Sequence, residues 1–432
     1  MTAGTESQTG YNPGVRTYWR ARTCPTKPWR SGMIAALAAA KALPASHFLS
    51  LSILAGVVFG LLAYGRCVSL PFQSSPPDDV GCIRVGFRYA AAPLELPLRY
   101  VGANWIRVPG HASYAVDAAW FGLDPRGWHA TNLLIHLCNV VLLACAAWII
   151  TRSRLAVFAG TALFAIWPSG HKAVEWVAAR HDLFMATGFL ATLILYGLWR
   201  RRGGVGLYAG ALAAFITMLV SKETALALAL SFLVAEMLIF QPPIRWRGIA
   251  PFVLVSVAYA VFSIVHFHLF SADVPPYLQR MTAGASAVPR VLLAIAQIWS
   301  PWFLPAFPAI LTMTVWIVPR LGLWALLTSC ILVGLPAMLD RTGPVGSWYL
   351  YAPASLAVLS MSHAAASALE YARRWPARCP CAAGHRAGSS RPAARASGAG
   401  GVPVPRSHWH IGRRRGGPEG ENRRGGLSPP SG

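Results

Sequence analysis

The stretch Trp167-Pro-Ser-Gly-His-Lys-Ala-Val-Glu-Trp-Val-Ala-Ala-Arg-His-Asp182 lies between two apolar runs and packs six ionisable side chains into one short connection: His171, Lys172, Glu175, Arg180, His181 and Asp182. A helix hairpin turns on Pro and Gly alone, so this density predicts one wall of a polar, anion-handling site. Guanidinium and ammonium groups suit that task because they make charge-assisted hydrogen bonds to phosphate or carboxylate oxygens.

Asp78-Asp79 is a second candidate. Adjacent carboxylates repel, so one of them is expected beside a cation, a metal, or a proton that it must accept as a general base. A solvated Pro-Pro-Asp-Asp turn is the plain alternative. Ser221-Lys222-Glu223-Thr224 permits Lys222 to offer its ammonium to a phosphate with Glu223 orienting it, or simply to snorkel at an interface. Arg180 with Asp182 allows the same two readings. His266 and His268 precede Asp273, Arg280 and Arg290. A divalent metal is left open there because the spacing is not diagnostic, and Arg280 fits better as an anion partner in a loop.

His129, Asn132, His136 and Asn139 recur at three- and four-residue steps, which puts them on one helical face. His129, near the outer end, is expected to support the site. His136 and Asn139, placed deeper, are expected to bond helix to helix.

The elements that carry these residues are apolar. Of 432 residues 55% are hydrophobic and 12% charged, about half the charge of a soluble protein. Runs near 47–66, 129–151, 154–168, 183–199, 205–220, 224–240, 249–271, 289–306, 321–339 and 347–362 predict an all-α polytopic membrane protein of about 10–11 spans. The net charge of +23 does not point to nucleic acid, because its excess sits in the two ends and in loops at alternate span ends. Arg152/Arg154, Arg200-Arg201-Arg202 and Arg245/Arg247 follow the second, fourth and sixth spans, which assigns that side and the basic 1–46 tail to the cytoplasm. The opposite side receives a long loop, 67–128, expected to fold as short helices on the outer surface. Cys67 and Cys82 flank that loop and could pair. Residues 363–432, rich in Arg, Ala, Gly, Pro and Ser, are expected to be a disordered tail, with a composition like GC-rich DNA read out of frame.

Four segments resemble a known family in order and approximate spacing across 47–362. Phe121-Gly-Leu-Asp-Pro-Arg-Gly-Trp-His-Ala-Thr-Asn-Leu-Leu-Ile-His136 is similar to a G-x-x-P-x-x-[FW]-H-x-x-N-x-x-x-H stretch of the transmembrane and tetratricopeptide-repeat O-mannosyltransferases and their bacterial relatives. Trp176–Asp182 resembles their W-x-x-x-R-x-D, Ser221–Ala225 their S-K-E-T-A, and Trp348–Pro353 their R-Y-L-Y-x-P. The repeats themselves are missing. The resemblance implies a GT-C-like transmembrane domain that takes sugar from a polyprenyl-phosphate carrier at the outer membrane face, with no cofactor firmly required and the acceptor unspecified. It further implies Asp78 and Asp79 as the acidic pair that supplies the catalytic base, and Arg180 and Lys222 as donor-phosphate contacts, with His171 and Glu175 displaced from the family's pattern. A transporter or lipid flippase, and an inactive truncated relative, are the competing readings. Transporters place polar groups near the midplane and often in paired halves, whereas here they cluster toward one face.

Overall fold

The computed structural model describes residues 43–73, 78–93, 107–240, 243–270, 287–339 and 345–374. Every regular element among them is helical. In chain order the helices are α1 (Ala45–Tyr64), α2 (Asp78–Ala91), α3 (Val108–Phe121), α4 (Pro125–Thr151), α5 (Arg154–Ala165), α6 (His171–Glu175) and α7 (Arg180–Arg202). They continue with α8 (Val205–Leu219), α9 (Ala225–Leu238), α10 (Trp246–Phe270), α11 (Ala287–Trp299), α12 (Phe307–Ile317), α13 (Pro319–Leu339) and α14 (Tyr351–Arg374).

Local sequence sets the boundaries. Asp124 caps α4 by accepting a hydrogen bond from the Arg126 backbone N–H, with Pro125 in the first turn where its missing N–H costs nothing. Ser153 does the same for α5 through Ala156. Gly203 and Gly204, at φ 71° and 95°, make the α7–α8 turn in backbone regions that side chains avoid.

Among the described residues, five helical segments are long and apolar enough to cross a bilayer. The pair α11–α12, bent by 93° between Trp299 and Leu304, makes a sixth where it is counted as one broken span. Residues such as Leu62, Leu254 and Trp316, 75%, 69% and 83% exposed, face outward where lipid would be. The protein is therefore an integral membrane protein of the all-α class. The strict count falls short of the 10–11 spans expected, because α5, α8 and α9 are only 12, 15 and 14 residues long. At 1.5 Å per residue α5 reaches about 18 Å, less than the hydrocarbon core. Apolar runs that read as full spans spend their ends on turns and 3₁₀ segments.

The two faces separate as the charge pattern anticipates. Arg200 ion-pairs with Glu236 at 3.2 Å and donates to the Phe240 carbonyl, while Arg201 donates to the Ile149 carbonyl. The arginine-bearing connections after α4, α7 and α9 thus meet at one end of the bundle. At the other end, α2 and α3 pack on each other around Val85, Tyr89, Tyr114, Ala118 and Trp128, a small core distinct from the main one. This bears out short helices in the 67–128 loop, of which 74–77 and 94–106 lie outside the described residues. Cys67 sits in the main core and Cys82 beside the small one, and they are not bonded.

The tail expectation needs correction: α14 runs to Arg374, past the expected break at 363. Its Ala-rich end, Ser-His-Ala-Ala-Ala-Ser-Ala-Leu-Glu-Tyr-Ala, has the propensity to continue a helix even where apolar periodicity fades. Residues 1–42 and 375–432 lie outside the described residues.

Candidate active site

Asp78 and Asp79 open α2 but have separate fates. The Asp79 carboxylate is fully buried and accepts from the Gln73 backbone N–H at 2.7 Å and the Ala178 backbone N–H at 3.0 Å. It latches α2 to the 3₁₀ turn Val177–Ala179. Burial raises its pKa, only partly offset by those two hydrogen bonds. One residue back, about 100° around the helix, Asp78 is exposed and faces a cavity of about 410 Å³.

Four other segments reach the same cavity. Arg107, His111 and Tyr114 come from the start of α3, and His181 and Asp182 from the start of α7. Lys222 comes from the α8–α9 connection, and Trp348 and Tyr349 from the 3₁₀ turn Ser347–Leu350. A backbone hydrogen bond from Val108 N–H to the Val220 carbonyl, 3.0 Å, fixes α3 to the α8–α9 connection. It brings Arg107 against Glu223.

The ion pairs cross between segments. Lys222 Nζ donates to both Asp182 oxygens at 2.8 and 2.6 Å and lies 4.2 Å from the Tyr349 ring centre. Arg107 holds Glu223 through Nε and Nη2, the closest contact being 2.8 Å. Burial works against both of these charges. Even so, the mutual attraction keeps the Glu223 carboxyl below its ordinary pKa and the Arg107 guanidinium above its own. The expectation that Glu223 orients Lys222 is corrected: Asp182 does so. Neighbours in sequence project to different sides of the chain, so partners come from other elements.

Arg180 is also corrected. It is fully buried and outside the cavity lining, with Asp117 at 2.6 Å, Asn132 at 2.6 Å, Ser113 at 3.1 Å and the Trp128 carbonyl at 2.8 Å. Asp117 in turn accepts from Thr131, and Asn132 donates to the Val174 and Trp176 carbonyls. With four of its N–H groups taken up inside the fold, Arg180 is a keystone joining α3, α4 and α7 and lies outside the cavity lining.

The histidines divide too. His129 is fully buried beneath Phe72, outside the cavity. His136 bonds the Tyr351 hydroxyl at 2.8 Å and the Ala165 carbonyl, and Asn139 bonds the Leu183 carbonyl and Thr187, so both join helices as expected. His171 turns back to the Pro168 carbonyl at 2.9 Å. Neither His171 nor Glu175 lines the cavity. Only the last part of the 167–182 stretch, from Trp176 onward, forms a wall of the site. The side chains of His266 and His268, and all of Arg280, lie outside the described residues. Among the described residues no three His, Cys, Asp or Glu side chains converge as a metal site would require.

Sequence reasoning passed over His111, Tyr114 and Asp117. They recur every three residues on α3, a polar and aromatic stripe that would have marked one face of a helix inside the long loop. His181 packs so closely on Gly110 that any Cβ there would overlap its imidazole. Burial, with Arg107 nearby, lowers the His111 pKa to about 4.

These features define a polytopic helical membrane protein with a charged, aromatic-walled cavity at the end of the bundle opposite its arginine clusters. No family profile matches the chain. The curated protein O-mannosyl-transferase Tmtc1 of Drosophila melanogaster is 31% identical over 109 residues, which span 24% of this chain and 12% of that protein's length. Among solved structures, ArnT from Cupriavidus metallidurans bound to undecaprenyl phosphate is 15% identical, with a TM-score of 0.48, covering 74% of this chain and 60% of that one.

Proposed function

We propose that the protein is a GT-C-type membrane glycosyltransferase that moves a sugar from a polyprenyl-phosphate donor to an acceptor hydroxyl at the outer face of a bacterial plasma membrane. One observation carries the reading: Asp78, an accessible carboxylate, shares a cavity with Lys222 and Arg107, cations delivered by two other segments. The partial likeness to an O-mannosyl-transferase agrees with it.

In this reading Asp78 takes the proton of the acceptor hydroxyl as that oxygen attacks the anomeric carbon. The bond to the carrier phosphate breaks and the polyprenyl phosphate leaves with the electron pair. Lys222 has three N–H donors, of which two are used on Asp182. Its third, with the Arg107 guanidinium, meets the charge developing on the phosphate in a confined site where such stabilisation is strongest. One carboxylate suffices for direct displacement, so the anomeric centre inverts. The outward apolar faces of the bundle would hold the polyprenyl chain.

The test is transfer of labelled sugar from polyprenyl-phosphate donors by purified protein, wild type against Asp78→Asn. Transfer by wild type and its loss in the variant support the reading. Equal transfer by both would remove Asp78 as the base, and movement of the intact donor across vesicles without transfer would favour a flippase.

A further inference from the structure

We infer that the arginine end of the bundle holds an anionic glycerophospholipid, with its phosphate on Arg202 and Arg245 and its acyl chains along the outward face of α10. This end is opposite the charged cavity, and the inference does not depend on the glycosyltransferase reading.

The frame that carries the two arginines is firmly built. Arg200 donates to the Phe240 and Pro243 carbonyls, and the Arg245 backbone N–H donates to the buried Glu236 carboxylate at 3.1 Å, which folds the α9–α10 connection onto the end of α7. Gly248 lies so close to Trp199 that any Cβ there would overlap the indole, and the Tyr208 hydroxyl donates to the Gly248 carbonyl at 2.8 Å. The Arg245 guanidinium is thereby set over the Trp199 ring, 5.4 Å from its centre. Arg202 follows Trp199 by three residues on α7, so their side chains are neighbours on that helix. A guanidinium stacked by its face keeps its N–H edge for an acceptor, and two cations gathered at one indole suit the oxygens of a phosphate.

The counter-charge is missing from the protein. Arg152, Arg202, Arg245 and Arg247 are exposed. The ion pairs among the described residues use Arg107, Arg180, Arg200 and Lys222 instead. Nor do the chain's two ends offer much relief: residues 1–42 and 375–432 are rich in arginine and hold only Glu6, Glu419 and Glu421 as carboxylates.

An apolar surface adjoins these charges. Trp246 stands between Arg245 and Arg247 and is 69% exposed. On the same side of α10 follow Leu254, Val257 and Val261, all more than half exposed, in a stripe about 22 Å long. Of the five spans α10 is the least buried. Phosphate-binding cations, a ring suited to the headgroup level and a lipid-facing stripe thus succeed one another as the parts of a phospholipid do. The sign of the charge selects the class, because a zwitterionic lipid would bring its ammonium group against the arginines.

The experiment reconstitutes the purified full chain in nanodiscs of equal parts phosphatidylcholine and phosphatidylglycerol, and counts the lipids that stay bound on release by native mass spectrometry. Wild type should retain phosphatidylglycerol over phosphatidylcholine about tenfold, given the attraction of each arginine for an anionic lipid surface. The triple variant Arg202→Gln, Arg245→Gln, Arg247→Gln should reduce that preference to about twofold or less, and Trp246→Ala should weaken retention about threefold. Lysine at the same three positions should keep most of the preference, which separates charge from folding. Equal retention of both lipids by wild type, or a preference untouched in the glutamine variant, would overturn the site. Displacement of the bound lipid by water-soluble glycerophosphoglycerol at equal concentration would remove the acyl stripe from it. Tighter retention of a polyprenyl phosphate than of phosphatidylglycerol, lost in the glutamine variant, would overturn the lipid class.

Discussion

Arg180 and Lys222 invite comparison. Each is a buried cation beside an aspartate, each follows or precedes a helix at the same end of the bundle, and both are read from the sequence as phosphate ligands. Around Arg180 every contact is internal: Asp117, Asn132, Ser113 and the Trp128 carbonyl enclose the guanidinium. Around Lys222 the cage has an open side, because Asp182, Tyr349 and the ammonium all border the cavity. The same chemistry builds a fold in one place and leaves a reactive surface in the other. What decides the role is how many donors remain after the protein has taken its share.

If that division is correct, the largest effects should fall on opposite readouts. Asp78→Asn should lower sugar transfer by about 10²–10⁴-fold, the usual worth of a positioned base, with an unchanged melting temperature. Arg180→Met should instead cost about 3–5 kcal/mol of stability, because Asp117 is left buried and unpaired. The double variant Arg180→Met with Asp117→Leu should regain much of that loss in detergent-resistant melting. An Asp78→Asn protein that melts early, or an Arg180→Met protein that melts normally, would break the comparison.

Lys222→Met sits between these extremes. We expect turnover to fall about 10²-fold, as for removal of one group that stabilises developing charge, with a further stability loss from the orphaned Asp182. Lys222→Arg should restore stability more than turnover, since a guanidinium keeps the charge but not the shape.

Asp79→Asn sharpens the contrast within the acidic pair. It replaces an acceptor with a donor opposite a backbone N–H, so we expect about 1–3 kcal/mol of destabilisation with a smaller drop in turnover than Asp78→Asn gives. The smallest effect concerns acid. His111 has a folded pKa of about 4 against an ordinary 6.5, so between those values the unfolded chain binds the extra proton. Stability from this group is therefore present above pH 6.5 and is lost as pH falls toward 4. His111→Gln should flatten that part of a melting-temperature profile, and an unaltered slope would exclude His111 as its source.

Much of the architecture was legible because bilayer-facing helices announce themselves by length and apolarity, and because arginine placement separates the two ends. Asp78, Asp182 and Lys222 were legible as ionisable groups at span ends. Their pairing was not. Asp182 lies next but one to Arg180, and Glu223 next to Lys222, yet each pairs with a cation from another element. Adjacent residues diverge around a helix while distant ones converge. His171 and Glu175 misled for a related reason: a short connection that changes direction, here through α6 and two 3₁₀ turns, can present its first half to the bundle and its second to the cavity. The place of the Arg107 side chain in the cavity depends on the backbone bond between Val108 and Val220, which joins segments far apart in sequence.

The position of Trp348 and Tyr349 carries a consequence of parity. They border the same cavity as Asp78, so α13 must deliver the chain to the face on which α1 ended. An α13 that crosses once then starts from the far face, and a single passage through the bent α11–α12 pair is the arrangement that would bring the chain there from α10.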